Sequence, residues 1–234
     1  MSLILCLETA TEVCSVSLAG TKGILSMREL KAGFGHAEKL TVFISEVMEE
    51  AGKKLNEIDA IAVSSGPGSY TGLRIGVSVA KGLCYALDKP LISLPTLSSL
   101  TVAAIERSQP ANQELFCPMI DARRMEVYYA LYDRELFLIK EAQAQVVDEN
   151  FIFSSSIAER IYYFGDGASK CSNMLKDAPT YFFIEDIHAS SAHMHKSAFK
   201  KFDAKDFENL ALFEPLYVKQ PVYARSDSEK KSIR

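Results

Sequence analysis

Within the first 108 residues the hydrophobic pattern passes from short, tightly joined strands to strands alternating with helices, and few folds accept that order. Residues 3–8 (LILCLE) form a short apolar run, and residues 13–18 (VCSVSL) alternate as a half-buried strand does. Residues 19–23 (AGTKG) carry a turn signal, and 24–30 (ILSMREL) predict a third strand. Connections this short leave room only for an antiparallel meander. Helical period then appears over 36–51. There Ala37, Leu40, Ile44, Val47, Met48 and Ala51 share one face, Phe43 lies at its edge, and Gly52 follows the C-terminus. Residues 59–65 predict a fourth, central strand. A glycine-rich turn leads into a helix over 72–87 that Pro90 ends, and 91–94 (LISL) predict a fifth strand. Residues 96–107 predict a third helix with Thr96 as its N-cap.

The order β-β-β-α-β-α-β-α predicts an α/β fold with a mixed sheet and helices on its faces. It matches the ribonuclease-H-like half-domain of the actin, sugar-kinase and chaperone ATPase superfamily, an analogy of fold that says little about activity. The polar, proline-containing stretch 108–114 marks a boundary. Strands are then expected at 116–121 (FCPMID), 126–133 (EVYYALYD) and 136–141 (LFLIKE). Residues 161–171 (IYYFGDGASKC) read as strand, glycine turn and helix. A second, more degraded copy of the half-domain accounts for these, although the sequence shows no internal repeat. The expected division is 1–108 and 109–218 as two actin-like lobes, and 219–234 as a basic, mobile tail.

The most specific stretch is 64–76, SSGPGSYTGLRIG. A Gly-Pro-Gly turn between strand and helix can cradle phosphate on free N–H groups. No Gly-Lys-Ser/Thr follows, so it is not a P-loop. Along the helix, Gly72, Gly76, Ala80 and Cys84 form a ridge of small side chains. Leu73, Ile75, Val77, Val79, Leu83 and Leu87 flank it, and Arg74, Ser78, Lys81 and Tyr85 hold the remaining side. The apolar arc covers about 200°, against the ~100° of a one-sided surface helix. A glycine inside a helix costs roughly 0.8–1.0 kcal/mol relative to alanine, so Gly76 and Gly82 call for compensation. Two uses fit: a tightly packed internal helix, or close approach by a helix of another chain.

Composition narrows the function. The formal net charge is −4, which disfavours nucleic-acid binding by this chain alone, because neutralising phosphates drives that binding. No apolar run approaches the ~20 residues of a membrane span, and the N-terminus reads as a strand rather than a signal peptide. Five cysteines, Cys6, Cys14, Cys84, Cys117 and Cys171, show no ligand-like spacing and point to a reducing, cytoplasmic compartment.

Several segments together carry a family resemblance: LETATEVCSVSL (7–18), SSGPGSYTGLRIGVSVAKGL (64–83), IDARRMEVYYALY (120–132), FGDGA (164–168) and EPLYVKQ (214–220). In this order they resemble the TsaB family, also called YeaZ. The resemblance implies two actin-like lobes and a non-catalytic role beside a TsaD-type paralogue and a TsaE-type ATPase. That assembly transfers a threonylcarbamoyl group to an adenosine beside the tRNA anticodon. It further implies that helices of the first lobe pack against the paralogue, which puts Leu40, Ile44, Gly72, Leu73, Gly76, Val77, Ala80 and Cys84 at a partner interface. A homodimer is expected when the partner is absent.

Little chemistry is expected of the chain alone. In this superfamily carboxylates organise Mg²⁺ at the nucleotide phosphates. Glu8 ends the first strand and Asp121 the first strand of the second half. With Thr9, Thr11, Gly66, Gly68, Ser69, Gly165 and Gly167 they constitute either a remnant phosphate site or a lining that bonds backbone donors. No cofactor is required by this reading; weak ATP or ADP binding with Mg²⁺ is the most the cleft would offer. No catalytic residue and no metal site is assigned. His36 lacks a partner at i+4, and His188, His193 and His195 lie in a polar stretch read as a solvated loop. Ser69 has no assignable base, and Arg123 and Arg124 suit a salt bridge or a partner contact. The alternatives are a stand-alone kinase or ATPase and, behind it, a peptidase.

Overall fold

The computed structural model describes residues 2–31, 35–108, 114–148, 158–175 and 178–219. Five strands make the first sheet: β1 (Leu3–Glu8), β2 (Val13–Gly20), β3 (Gly23–Lys31), β4 (Ala60–Gly66) and β5 (Leu91–Pro95). Their order is β3-β2-β1-β4-β5, with an antiparallel meander on one side and parallel β1, β4 and β5 on the other. Three helices belong to this half: α1 (His36–Glu50), α2 (Tyr70–Leu87) and α3 (Thr96–Ser108). The side-chain alternation of β1 divides the core. Leu3, Leu5 and Leu7 pack under α1 and α2, while Ile4 and Cys6 face Met194 and Ala198 from the C-terminal part of the chain.

The second sheet is built from β6 (Glu114–Asp121), β7 (Glu126–Tyr132), β8 (Leu138–Val146), β9 (Arg160–Phe164) and β10 (Tyr181–Ile184), in the order β10-β9-β6-β7-β8. Three sequential antiparallel strands followed by two parallel ones repeat the first topology, so the two-lobed α/β fold with mixed sheets is present. Short α4 (Ser172–Leu175) lies between β9 and β10. Leu97, Leu100, Ala103 and Ala104 of α3 pack against Phe116, Ile120 and Phe164 and so join the lobes. Helix α5 (His195–Asp203) then returns to the first sheet. Residues 188–219 therefore sit largely on the first lobe.

Several expectations are corrected in detail. Thr96 is not a cap: it is the first residue of α3, and its buried Oγ1 has no hydrogen-bond partner. Ala37 is exposed, one turn before the buried stripe Leu40, Ile44, Val47 and Met48. The 188–195 stretch is not a solvated loop. Ser191 is fully buried, its N–H donates to Ser15 Oγ at 2.8 Å, and its carbonyl accepts from Ser17 at 3.1 Å. The boundary at 109–113 and the tail from 220 onward lie outside the described residues.

Candidate functional site

The 8–11 segment is where the informative residues converge. Beyond Glu8 the chain leaves the sheet, and its next residues are gripped by α2. Ala10 O accepts the Ser69 N–H at 2.6 Å, and Thr9 Oγ1 donates to Gly72 O at 2.8 Å. His36, at the start of α1, holds Thr11 O through Nε2 at 2.9 Å. The glycines make this contact sterically feasible. A Cβ at Gly68 would lie 2.3 Å from Ala10 O, one at Gly72 2.1 Å from Thr9 O, and one at Gly76 2.2 Å from Thr9 Oγ1. Ser69 caps α2, accepting the Gly72 N–H at 3.2 Å.

This geometry corrects the phosphate reading of Gly66, Gly68 and Ser69. The approach that a phosphate would use at Gly68 is filled by Ala10, and a Cβ at Gly66 would meet Leu216 O at 2.7 Å. Glu8 is fully buried. Its Oε1 accepts the Ala10 N–H at 2.7 Å, while Oε2 has no hydrogen-bond partner. Burial pushes its carboxyl up to about 7, against smaller opposing effects of the Ala10 N–H and the Ser64 hydroxyl. A buried carboxyl committed to a backbone donor does not fit the role of a Mg²⁺ organiser facing solvent. Thr9 and Thr11 are likewise buried.

The second lobe repeats the arrangement more openly. A Cβ at Gly165 would meet Met119 O at 2.2 Å, and one at Gly167 would meet the Ile120 carbonyl carbon at 2.7 Å. Asp121 is exposed and pairs with Lys170 at 2.6 Å. Asp166, which the sequence reading passed over, accepts the Asp121 N–H at 3.2 Å. The residue is exposed as a whole, but its carboxyl is turned toward the backbone. This desolvation, with repulsion from Asp121 and Glu12, pushes it up to about 6. Arg123 and Arg124 both adopt positive φ in the β6–β7 turn. Among the described residues no group of three or more His, Cys, Asp or Glu side chains is placed to hold a metal ion. His188 and His193 contact Glu29 and Glu106 at 3.1 and 3.0 Å, acidic partners that the sequence did not reveal.

The eight residues expected at a partner interface are corrected too. Leu40, Ile44, Gly72, Leu73, Gly76, Val77, Ala80 and Cys84 are all buried within this chain, so the small-residue ridge serves internal packing. The outward side of α2 is Arg74, Ser78, Gly82, Tyr85 and Ala86. Tyr85 is 85% exposed, and a Cβ at Gly82 would meet nothing within 4 Å. The sequence marks Gly82 only by its cost in a helix and Tyr85 only as part of the polar side. Among the described residues no helix is long and apolar enough to cross a membrane.

Comparison with known proteins supplies what geometry alone does not. The model of the family described as "TsaD: tRNA N6-adenosine threonylcarbamoyltransferase" matches residues 30–221. The chain belongs to this family. Its relatives include TsaB proteins and also tRNA N6-adenosine threonylcarbamoyltransferases, such as that of Staphylococcus haemolyticus, 29% identical over 198 residues and covering 78% of this chain and 57% of that protein. The chain is 38% identical over 132 residues to the tRNA threonylcarbamoyladenosine biosynthesis protein TsaB of Haemophilus influenzae, covering 56% of this chain and 54% of that protein. The chain thus spans about half the length of the curated TsaB relatives it matches (54% and 55%). YeaZ from Pseudomonas aeruginosa superposes with a TM-score of 0.80 at 26% identity, over 93% of this chain and 100% of that one. A second Pseudomonas aeruginosa structure, described as similar to peptidase YEAZ, gives 0.82 at 26% identity over 94% and 100%. The TsaB (YeaZ) resemblance read from the sequence is borne out.

Proposed function

We propose that this chain is a non-catalytic scaffold subunit in the synthesis of threonylcarbamoyladenosine in tRNA, pairing with a TsaD-type catalytic paralogue and working with a TsaE-type ATPase. One observation carries the non-catalytic part: the glycine segment and the first-strand carboxylate are both committed to packing within the chain. The TsaB relatives, named for threonylcarbamoyladenosine biosynthesis, support the pathway. Contact with tRNA comes through the assembly, in keeping with the acidic balance, and the compartment is the cytoplasm.

The partner docks on the outward faces of α1 and α2. Arg74 gives the outward side of α2 a cation and no carboxylate stands there, whereas α1 carries Glu38, Glu46, Glu49 and Glu50. A helix pair built alike can lay its acidic helix on the basic one and the reverse. The same complementarity supports a homodimer when the paralogue is absent. Gly82→Leu and Tyr85→Ala leave the core untouched and should each weaken binding of the paralogue at least tenfold in a calorimetric titration. Unchanged affinity in the folded variants would remove α2 from the interface. ATP or ADP binding in the cleft is weak at most. The stand-alone ATPase alternative requires Mg²⁺-dependent hydrolysis that disappears in Asp121→Ala, and clean protein is expected to show no turnover at all.

A further inference from the structure

After α5 the chain wraps the open edge of the first sheet and runs back along α2. Glu208 N–H donates to Leu91 O at 2.9 Å, which covers the β5 edge, and Ser93 Oγ contacts the Glu208 carboxylate. Lys81 Nζ then donates to Ala211 O and Phe213 O at 3.3 and 3.2 Å. Leu216 N–H donates to Ser65 O at 2.7 Å. Tyr217 lies tilted against Tyr70 with ring centroids 5.0 Å apart, and its OH accepts from Arg74 Nε at 3.2 Å. Two residues later Lys219 pairs with Glu126 of β7, in the other lobe.

We propose that residues 207–219 are a releasable strap that latches the second lobe to α2, so that its seating sets the angle between the lobes. Among the described residues the lobes are joined by α3, whose leucines are buried against the second sheet, and by the 188–203 segment, which returns from β10 to the first sheet. The strap is a third attachment of a different kind. It has no regular secondary structure beyond turns, and its apolar contacts are those of Leu210 and Phe213 with the first-lobe core, of Phe207 with Phe202 and of Tyr217 with Tyr70. Leu212 and Leu216 are 78% and 48% exposed. Its remaining hold is a set of single hydrogen bonds and one surface ion pair, each weak on its own. Segments with few buried apolar contacts open well before the fold does. Gly66 makes the seat specific, because only a residue without Cβ admits the Leu216 carbonyl there. With the strap lifted, α3 and the returning 188–203 segment are left as the hinge.

Spin labels on Glu49→Cys (α1) and Glu135→Cys (β7–β8 turn) report the lobe separation in the full chain; both sites are exposed, and the five native cysteines are buried. Leu216→Pro deletes the N–H that bonds Ser65. It is expected to broaden a single narrow distance distribution, while amide exchange in β1 and β6 stays at the native rate. Tyr217→Ala, which keeps that N–H, should speed exchange of the Leu216 amide at least tenfold and broaden the distribution to a lesser degree. A distribution that stays narrow in Leu216→Pro, with the core strands protected, overturns the latch. So does a Leu216 amide that exchanges only with the core of the native protein.

Discussion

Glu8 is a carboxyl without access to water, and its protonation should be visible in stability. Its folded pKa lies near 7, above the ordinary 4.5, so between those values the native state holds a proton that the unfolded chain has released. Stability therefore falls as pH rises through that window and is level beyond it. The shift corresponds to about 3 kcal/mol. Urea unfolding at pH 5 and pH 8 should show this loss in the native chain, and Glu8→Gln should abolish most of it. The glycines of α2 make a second residue-scale test. Gly72→Ala drives a methyl into Thr9 O and should destabilise by about 1–3 kcal/mol. Gly82→Ala meets open space and should stabilise the isolated chain by up to about 1 kcal/mol. A helix that keeps such a glycine on its outer face has forgone stability there, which is why Gly82 belongs in the docking test.

At the scale of elements, the strands and helices of the first half were legible because each has a clear period. The α2 ridge was legible as a pattern but not as a contact. Periodicity places Gly72, Gly76, Ala80 and Cys84 on one face, yet it cannot say that Thr9 and Ala10, some sixty residues earlier, fill the grooves. The Gly-Pro-Gly turn misled for the same reason: a close backbone approach looks alike in sequence whether phosphate or a neighbouring loop makes it. The Ser69 cap is local and should behave locally, with Ser69→Ala costing about 1 kcal/mol in thermal unfolding. The segment 188–203 was missed because its anchors, Ser15, Ser17 and Glu29, lie far away in the chain.

For the whole molecule, two lobes of one topology emerge where the sequence shows no repeat. Sheet order survives when side chains diverge, since it depends on alternation and connection length rather than identity. The family was readable from the glycine segment, whereas the return of the C-terminal residues to the first lobe was not. All five thiols are enclosed, and burial pushes those of Cys6 and Cys84 up to about 12. A thiol reagent at neutral pH should therefore titrate none of them until the chain is unfolded, and five thereafter. The central claim is that this chain is needed for tRNA threonylcarbamoylation without performing it. It is tested most directly by reconstituting the reaction from purified partners of the same organism, with and without this chain, and quantifying the modified nucleoside. The account predicts that modification collapses when the chain is left out, and that the chain alone neither modifies tRNA nor hydrolyses ATP. Equal modification in its absence would contradict it.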